Sequence, residues 1–180
     1  NTLRKSKKSG ILLHIDIDDF KKYNDIMGHT VGDQLLQQFA KKLKFSVPVD
    51  ALISHLGSDE FIIWVNTIHP DKKNTEETAK KIVTQIDNIF DASLHISGYD
   101  FQITKSIGIA LYPHDAKSID SLLYKAESAM YNAKSLGHNQ HGFFHSNTKK
   151  QAKKRLQIET ALRSAINNNE LELYYQPQVN

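Results

Sequence analysis

Five acidic side chains gather in two short stretches. Asp16, Asp18 and Asp19 close the run Ile11-Leu-Leu-His-Ile-Asp-Ile17, and Asp59-Glu60 falls between two further apolar runs. In an extended chain, alternation puts Asp16 and Asp18 on one side and Ile17 on the other. Unpaired carboxylates are costly to bury, so a buried run that ends in Asp-x-Asp-Asp calls for a use. If the two stretches lie side by side, their carboxylates converge. Carboxylates with a backbone carbonyl, and no His or Cys, suit Mg2+ or Mn2+. Such a site beside a phosphate binder is the apparatus of phosphoryl or nucleotidyl transfer. The same residues also fit plainer roles, with Asp18 and Asp19 capping a helix and Asp59-Glu60 filling a turn.

Cations with a matching use lie far along the chain. Lys134 stands four residues before His138, a helical spacing that could embrace a phosphate or simply mark an exposed helix end. Gly28-His-Thr-Val-Gly-Asp33 reads as a turn between helices, with Asp33 near the start of the second. His14, inside an apolar run, reads as a satisfied core histidine.

Periodicity supplies the elements that must position these groups. Residues 11–17 predict a buried strand, and a helix from Asp18 or Asp19 to about Gly28. Leu35, Leu36, Phe39, Ala40 and Leu43 predict a second helix, broken at Pro48. Residues 51–56 and 61–65 predict a hairpin closed by Gly57-Ser-Asp-Glu60. Residues 75–90 predict an amphipathic helix. Residues 101–111 predict a strand, with a small partner at 94–99. Residues 118–136 predict a helix stopped by Gly137, and Gly142-Phe-Phe144 a last strand. The order β-α-α-β-β-α-β-α-β contains a hairpin, so the α/β (α+β) sheet cannot be all parallel. Residues 147–168 predict a basic linker helix, and Leu171-Glu-Leu-Tyr-Tyr-Gln176 the opening strand of something else.

The chain's 180 residues, 39% apolar and 24% charged, suffice for a self-sufficient globular core. The absence of cysteine excludes disulfides, thiolate zinc sites and a cysteine nucleophile. It fits a reducing compartment, and the expected location is cytoplasmic. No apolar run approaches the ~20 residues of a membrane span, so no membrane contact is expected of this fragment. The net charge of +3 is gathered at Arg4, Lys5, Lys7 and Lys8 and at Lys149, Lys150, Lys153, Lys154 and Arg155. A duplex-binding domain would spread basic charge over its folded face, so no nucleic-acid partner is expected.

Taken in order, the segments Asp16-Ile-Asp-Asp-Phe-Lys-Lys-Tyr-Asn-Asp25, Gly28-His29, Gly32-Asp33, Gly57-Ser-Asp-Glu-Phe61, Ser106-Ile-Gly-Ile-Ala110 and Ala133-Lys134…Gly137-His-Asn139 resemble the GGDEF domain of diguanylate cyclases. That family joins two GTP into cyclic di-GMP and releases two pyrophosphates. The resemblance covers residues 3–145, and the domain is expected at 1–145, then a linker at 146–169. The tail Ile158-Glu-Thr-Ala-Leu-Arg…Glu170-Leu-Glu-Leu-Tyr-Tyr-Gln-Pro-Gln178 resembles the start of an EAL phosphodiesterase domain, with its opening strand at 170–180 but without its signature glutamate or later metal ligands, so no phosphodiesterase activity is expected of this fragment.

The resemblance implies a nucleotidyl-cyclase palm, with a mostly antiparallel sheet of about five strands flanked by helices. It also implies roles. Asp16 and Asp59 hold Mg2+ (or Mn2+) by side chain and Ile17 by its carbonyl, while Glu60 assists the metal or activates a 3′-hydroxyl. Asn24 and Asp33 read the guanine edge, and Leu36 lines the base pocket. Phe20 and Lys21 offer backbone N–H groups to phosphates, which Lys134 also contacts. The implied partners are GTP, a second copy of the domain for catalysis, and an attached EAL domain.

Several positions depart from the family pattern. Ser58 replaces the second signature glycine, where a Cβ is strained if the position needs a positive φ. His138 stands where the family places a phosphate-binding arginine. Pro48 and Ala51 replace the product-inhibition motif, and the family's Leu-Thr-x-Leu-Pro-Asn-Arg opening is not in this chain. These leave two expectations: a cyclase weakened by Ser58 and His138, or an inactive GTP-binding domain that regulates the attached phosphodiesterase.

Overall fold

A computed structural model describes residues 9–68 and 70–145, together with Ala161, Ala165 and Asn168. The chain divides into two compact units, residues 1–145 and 146–180. Within the second, Ala161 and Ala165 are helical and Asn168 lies in a turn. The basic N-terminus, most of the linker helix and the whole expected strand at 170–180 lie outside the described residues.

The first unit is built on β1 (Ser9–Ile17), whose isoleucines and leucines flank His14 and Asp16 and which is buried along its whole length. It is flanked on both sides, as such a two-faced apolar strand requires. On one side lies β3 (Glu60–Thr67), which pairs on its far edge with β2 (Leu52–Gly57). On the other lies β6 (Lys105–Tyr112), followed by β7 (His141–Phe143). Three pairings are antiparallel and β6–β7 is parallel, so the five-stranded sheet is mixed, β2-β3-β1-β6-β7, within the expected α+β class.

Alternation along β1 divides the core. Ile11, Leu13, Ile15 and Ile17 face α1 (Phe20–Met27), α2 (His29–Ser46) and α3 (Lys72–Phe90). There Phe39 stacks obliquely on Phe61 and Phe90, at ring distances of 5.2 and 4.4 Å. The opposite face, with Leu12, Ile62 and Ala110, receives α4 (Ile119–Ser135) through Leu122 and Ala126. Beside α4 the same face keeps an open apolar hollow of about 540 Å³ between Leu12, Ile62, Trp64, Tyr112 and Leu122.

Three expectations about elements need correction. The strand expected at 101–111 is two strands. β4 (Leu94–Ile96) and β5 (Tyr99–Phe101) form their own hairpin around Ser97 and Gly98, both at positive φ. The chain then leaves the extended ladder, because the Gln102 carbonyl accepts from the Tyr23 hydroxyl and the Thr104 carbonyl from the Asp18 N–H. The turn expected over Gly28–Asp33 is confined to Gly28, at φ 83°. α2 starts at His29, and Asp33 is its fifth residue. Glu60 opens β3 instead of sitting in the hairpin turn.

Candidate active site

The end of β1, the β2–β3 turn, the start of α1 and the end of α4 meet at one edge of the sheet. Asp16 and Glu60 are register partners across β1 and β3. The turn is drawn against β1 by the Ile17 N–H, which donates to the Asp59 carbonyl at 3.1 Å. The convergence expected of two acidic stretches is therefore built by backbone pairing. Ser58, between them, has φ 50°, so the condition for strain at this position is met.

The carboxylates do different work. Asp18 is 1% exposed and fully used: Ser106 Oγ donates to one oxygen at 2.7 Å and the Asn139 N–H to the other at 2.8 Å. It fastens β6 and the loop after α4 to the site and caps no helix. Asp19 occupies the N-cap position of α1 in a left-handed conformation, yet its side chain makes no cap bond. The backbone bonds of α1 begin with the Lys22 and Tyr23 N–H groups, both on the Asp19 carbonyl. The Phe20 and Lys21 N–H groups are thus the open donors of the first turn, where the helix dipole favours an anion.

Asp16 receives Lys134 Nζ at 2.5 Å from its Oδ1. Burial pushes the Asp16 carboxyl above its usual range, Lys134 opposes that, and the charges of Asp59 and Asp18 add to it. For Lys134, burial works against the ammonium. The hydrogen bond and charge of Asp16, with Asp18 and Asp59 beyond, outweigh it and raise the pKa. The two partners are not mirror images because their side chains are 10% and 33% exposed, so desolvation weighs more on the carboxylate. The Lys134 ammonium thus pairs with Asp16 within the field of Asp18 and Asp59.

The family-implied metal can be tested against that arrangement. Among the described residues, no three His, Cys, Asp or Glu side chains converge at ligating distance. Mg2+ does not need three: it keeps waters and substrate phosphates and takes one or two carboxylates. Asp16, Asp59 and a backbone carbonyl are the hard oxygen donors it uses, and the Lys134 ammonium marks the place as one that attracts positive charge. The residues present fit the ion.

The remaining predicted residues fall into two groups. Asn24 rests on α2 at Gly32, where a Cβ would lie 1.8 Å from Asn24 Oδ1, and Asp33 is the next residue of that helix. Leu36 is partly buried against the same core. His138 does not share a helical face with Lys134, because α4 ends at Ser135 and Gly137 turns the chain at φ 134°. Lys134 points to Asp16, whereas His138 Nδ1 lies 3.5 Å from Asp19 Oδ2, half-exposed. His14 is buried with Nε2 3.2 Å from Glu60 Oε2, but its Nδ1 has no partner, so it is only half satisfied.

Two supports escaped sequence reasoning. Asn139, at φ 56°, gives its N–H to Asp18. Lys105, 3% exposed, bonds Asp87 at 2.7 Å and Asn139 at 3.4 Å. A lysine breaking the apolar pattern of a strand was the available signal.

The profile of one family, "Diguanylate cyclase, GGDEF domain", matches residues 1–140. The chain belongs to the GGDEF family. It is 38% identical over 168 residues to the bifunctional diguanylate cyclase/cyclic di-GMP phosphodiesterase MucR of Pseudomonas aeruginosa, covering 93% of this chain and 24% of that protein. It is 35% identical to the signaling protein YkoW of Bacillus subtilis, covering 93% of this chain and 20% of that protein. Among solved structures, the GGDEF domain of the P. aeruginosa protein YfiN (or TpbB) superposes with a TM-score of 0.78 at 28% identity, over 84% of this chain and 86% of that one. An EAL/GGDEF domain protein from M. capsulatus gives 0.68 at 34%, over 76% and 85%. This GGDEF chain therefore spans about a quarter or less of the curated relatives named. Among the described residues, none of its helices is long and apolar enough to cross a membrane.

Proposed function

We propose that this GGDEF domain binds GTP with Mg2+ at the edge where β1, the β2–β3 turn, α1 and α4 meet, and that it condenses two GTP into cyclic di-GMP slowly. The observation that carries the reading is the open first turn of α1 set beside three carboxylates and the Lys134 ammonium. Phe20 and Lys21 N–H groups hold the terminal phosphates, Lys134 contacts them by side chain, and Asn24 and Asp33 read the guanine edge above Leu36. Asp16, Asp59 and the Ile17 carbonyl hold the ion, which supplies charge neutralisation at the phosphates. Glu60 draws the proton from the 3′-hydroxyl that attacks the partner GTP. Each copy presents one GTP, so two copies face each other during the reaction.

The second reading, a GTP-binding domain that regulates an attached EAL domain, is favoured by Ser58. Its left-handed conformation in the signature turn is strained, a cost that glycine would not carry. One experiment separates the two. GTP binding to the 180-residue chain is measured by calorimetry, and cyclic di-GMP and its linear precursor are scored after incubation with GTP and Mg2+, for the parent and for Ser58→Gly. Product from the parent, increased by glycine, supports the cyclase. Binding without product in both supports the regulatory domain. No GTP binding overturns both.

A further inference from the structure

His14 stands in the middle of β1 with two register partners, Ile62 on β3 and Gly108 on β6. It shares a face with Asp16, and with Glu60, to which Asp16 is paired. Gly108 brings the backbone of α4 hard against this face, since a Cβ there would lie 1.9 Å from the Ala126 carbonyl oxygen and 2.2 Å from the Met130 nitrogen. His14 is left 4% exposed, touching Glu60 Oε2 through Nε2, with Nδ1 buried and unpartnered. An aliphatic side chain would fill the place without leaving a polar atom unsatisfied, which costs about 1–3 kcal/mol. A core role alone does not account for an imidazole here.

We propose that His14 is a positioning residue for the metal site: its Nε2–H holds one oxygen of the Glu60 carboxylate and leaves the other free to serve the ion and the 3′-hydroxyl. The tautomer follows from the surroundings. A carboxylate only accepts, so Nε2 must carry the proton, and Nδ1 is then a bare lone pair rather than a buried donor without acceptor. Hydrogen bonds to carboxylates from behind a metal are a general means of fixing their orientation. Glu60 needs such a restraint because its side chain is 40% exposed and nothing else in the described structure bonds its carboxylate. The inference rests on the GTP–Mg2+ reading of the site and adds a residue to it.

Two measurements test it on the 180-residue chain. In metal-free, 15N-histidine-labelled protein, assigned by difference from His14→Leu, Nε2 is expected to show a protonated-nitrogen signal and Nδ1 a bare one; the opposite tautomer overturns the proposal. Calorimetric GTP titrations over a series of Mg2+ concentrations then compare the parent with His14→Leu and His14→Gln. The leucine variant is expected to need about tenfold more Mg2+ for half-maximal binding. Glutamine, whose amide offers an N–H from a similar place, is expected to recover most of the loss. GTP affinity at saturating Mg2+ is expected to be equal in all three. Equal Mg2+ midpoints overturn the proposal alone. Affinity lost at saturating Mg2+ in the leucine variant marks a structural role and overturns it too. A parent that binds no GTP at any Mg2+ concentration overturns the reading beneath it, and the proposal with it.

Discussion

At the residue scale, Ser58 sets two effects against each other. A non-glycine residue at φ 50° is strained by roughly 1–2 kcal/mol. Glycine would relieve that, but it costs about 0.5–1 kcal/mol in unfolded-chain entropy. Ser58→Gly is therefore expected to change unfolding free energy by no more than about 1.5 kcal/mol in urea titration, while raising product formation in the cyclase assay. A large gain in stability with unchanged activity would place the strain outside the chemistry. Asp16 has a sign of its own. Its folded pKa is raised, chiefly by burial, so the stability it contributes is present below the unfolded value of 3.8 and lost as pH rises through the folded one. Without metal, Asp16→Asn should therefore gain on the parent in unfolding free energy as pH rises from about 4 to about 7. A gap that stays constant would show that Lys134 fully offsets the desolvation. The use of Asp18 was hidden from the sequence, because its partners Ser106 and Asn139 lie 88 and 121 residues away.

At the scale of elements, β1 and the helices were legible because their apolar periods are unmixed. Where two periods abut, as at residues 101–105, continuity of pattern concealed a change of partner strand. The start of α2 was obscured similarly, since one glycine does the work expected of a six-residue turn. The packing of α4 on β6 was not legible, because a glycine within a strand does not announce what covers it. Gly108→Ala should force the α4 backbone off the sheet, at a cost of about 1–3 kcal/mol for overpacking. Because α4 carries Lys134, GTP binding should weaken in the same variant. Chemical denaturation and calorimetry read the two effects, and unchanged binding would separate Lys134 from the site. The loop after α4 is fastened at Asn139, but the half-exposed His138 side chain meets only Asp19 among the described residues, so it is free to turn toward a phosphate. His138→Arg should tighten GTP binding about tenfold, since a guanidinium binds phosphate in a two-pronged fork. No change would place residue 138 away from the nucleotide.

At the scale of the whole molecule, two faces of one sheet carry unequal cover. The α1–α3 side is closed by a continuous core, while the α4 side keeps its apolar hollow beside β2 and β3. The site sits at the sheet edge that both faces share, so Asp16 and Glu60 extend the α4 face while the α1 donors come from the other. The sequence showed the acidic stretches, their order and the family, but the family relation alone carried the roles proposed for Phe20, Lys21, Asn24 and Leu36. Composition and spacing carry no signal for a backbone N–H, and none for which helix a base would rest on. The central claim is that these groups form one site for GTP and a divalent ion. The most direct measurement is calorimetric titration of GTP into the 180-residue chain, with and without Mg2+, for the parent and Asp16→Asn. The account predicts GTP binding to the parent that strengthens with Mg2+, and a loss of most of that Mg2+-dependent gain in the asparagine variant. Equal gains from Mg2+ in both proteins would contradict it.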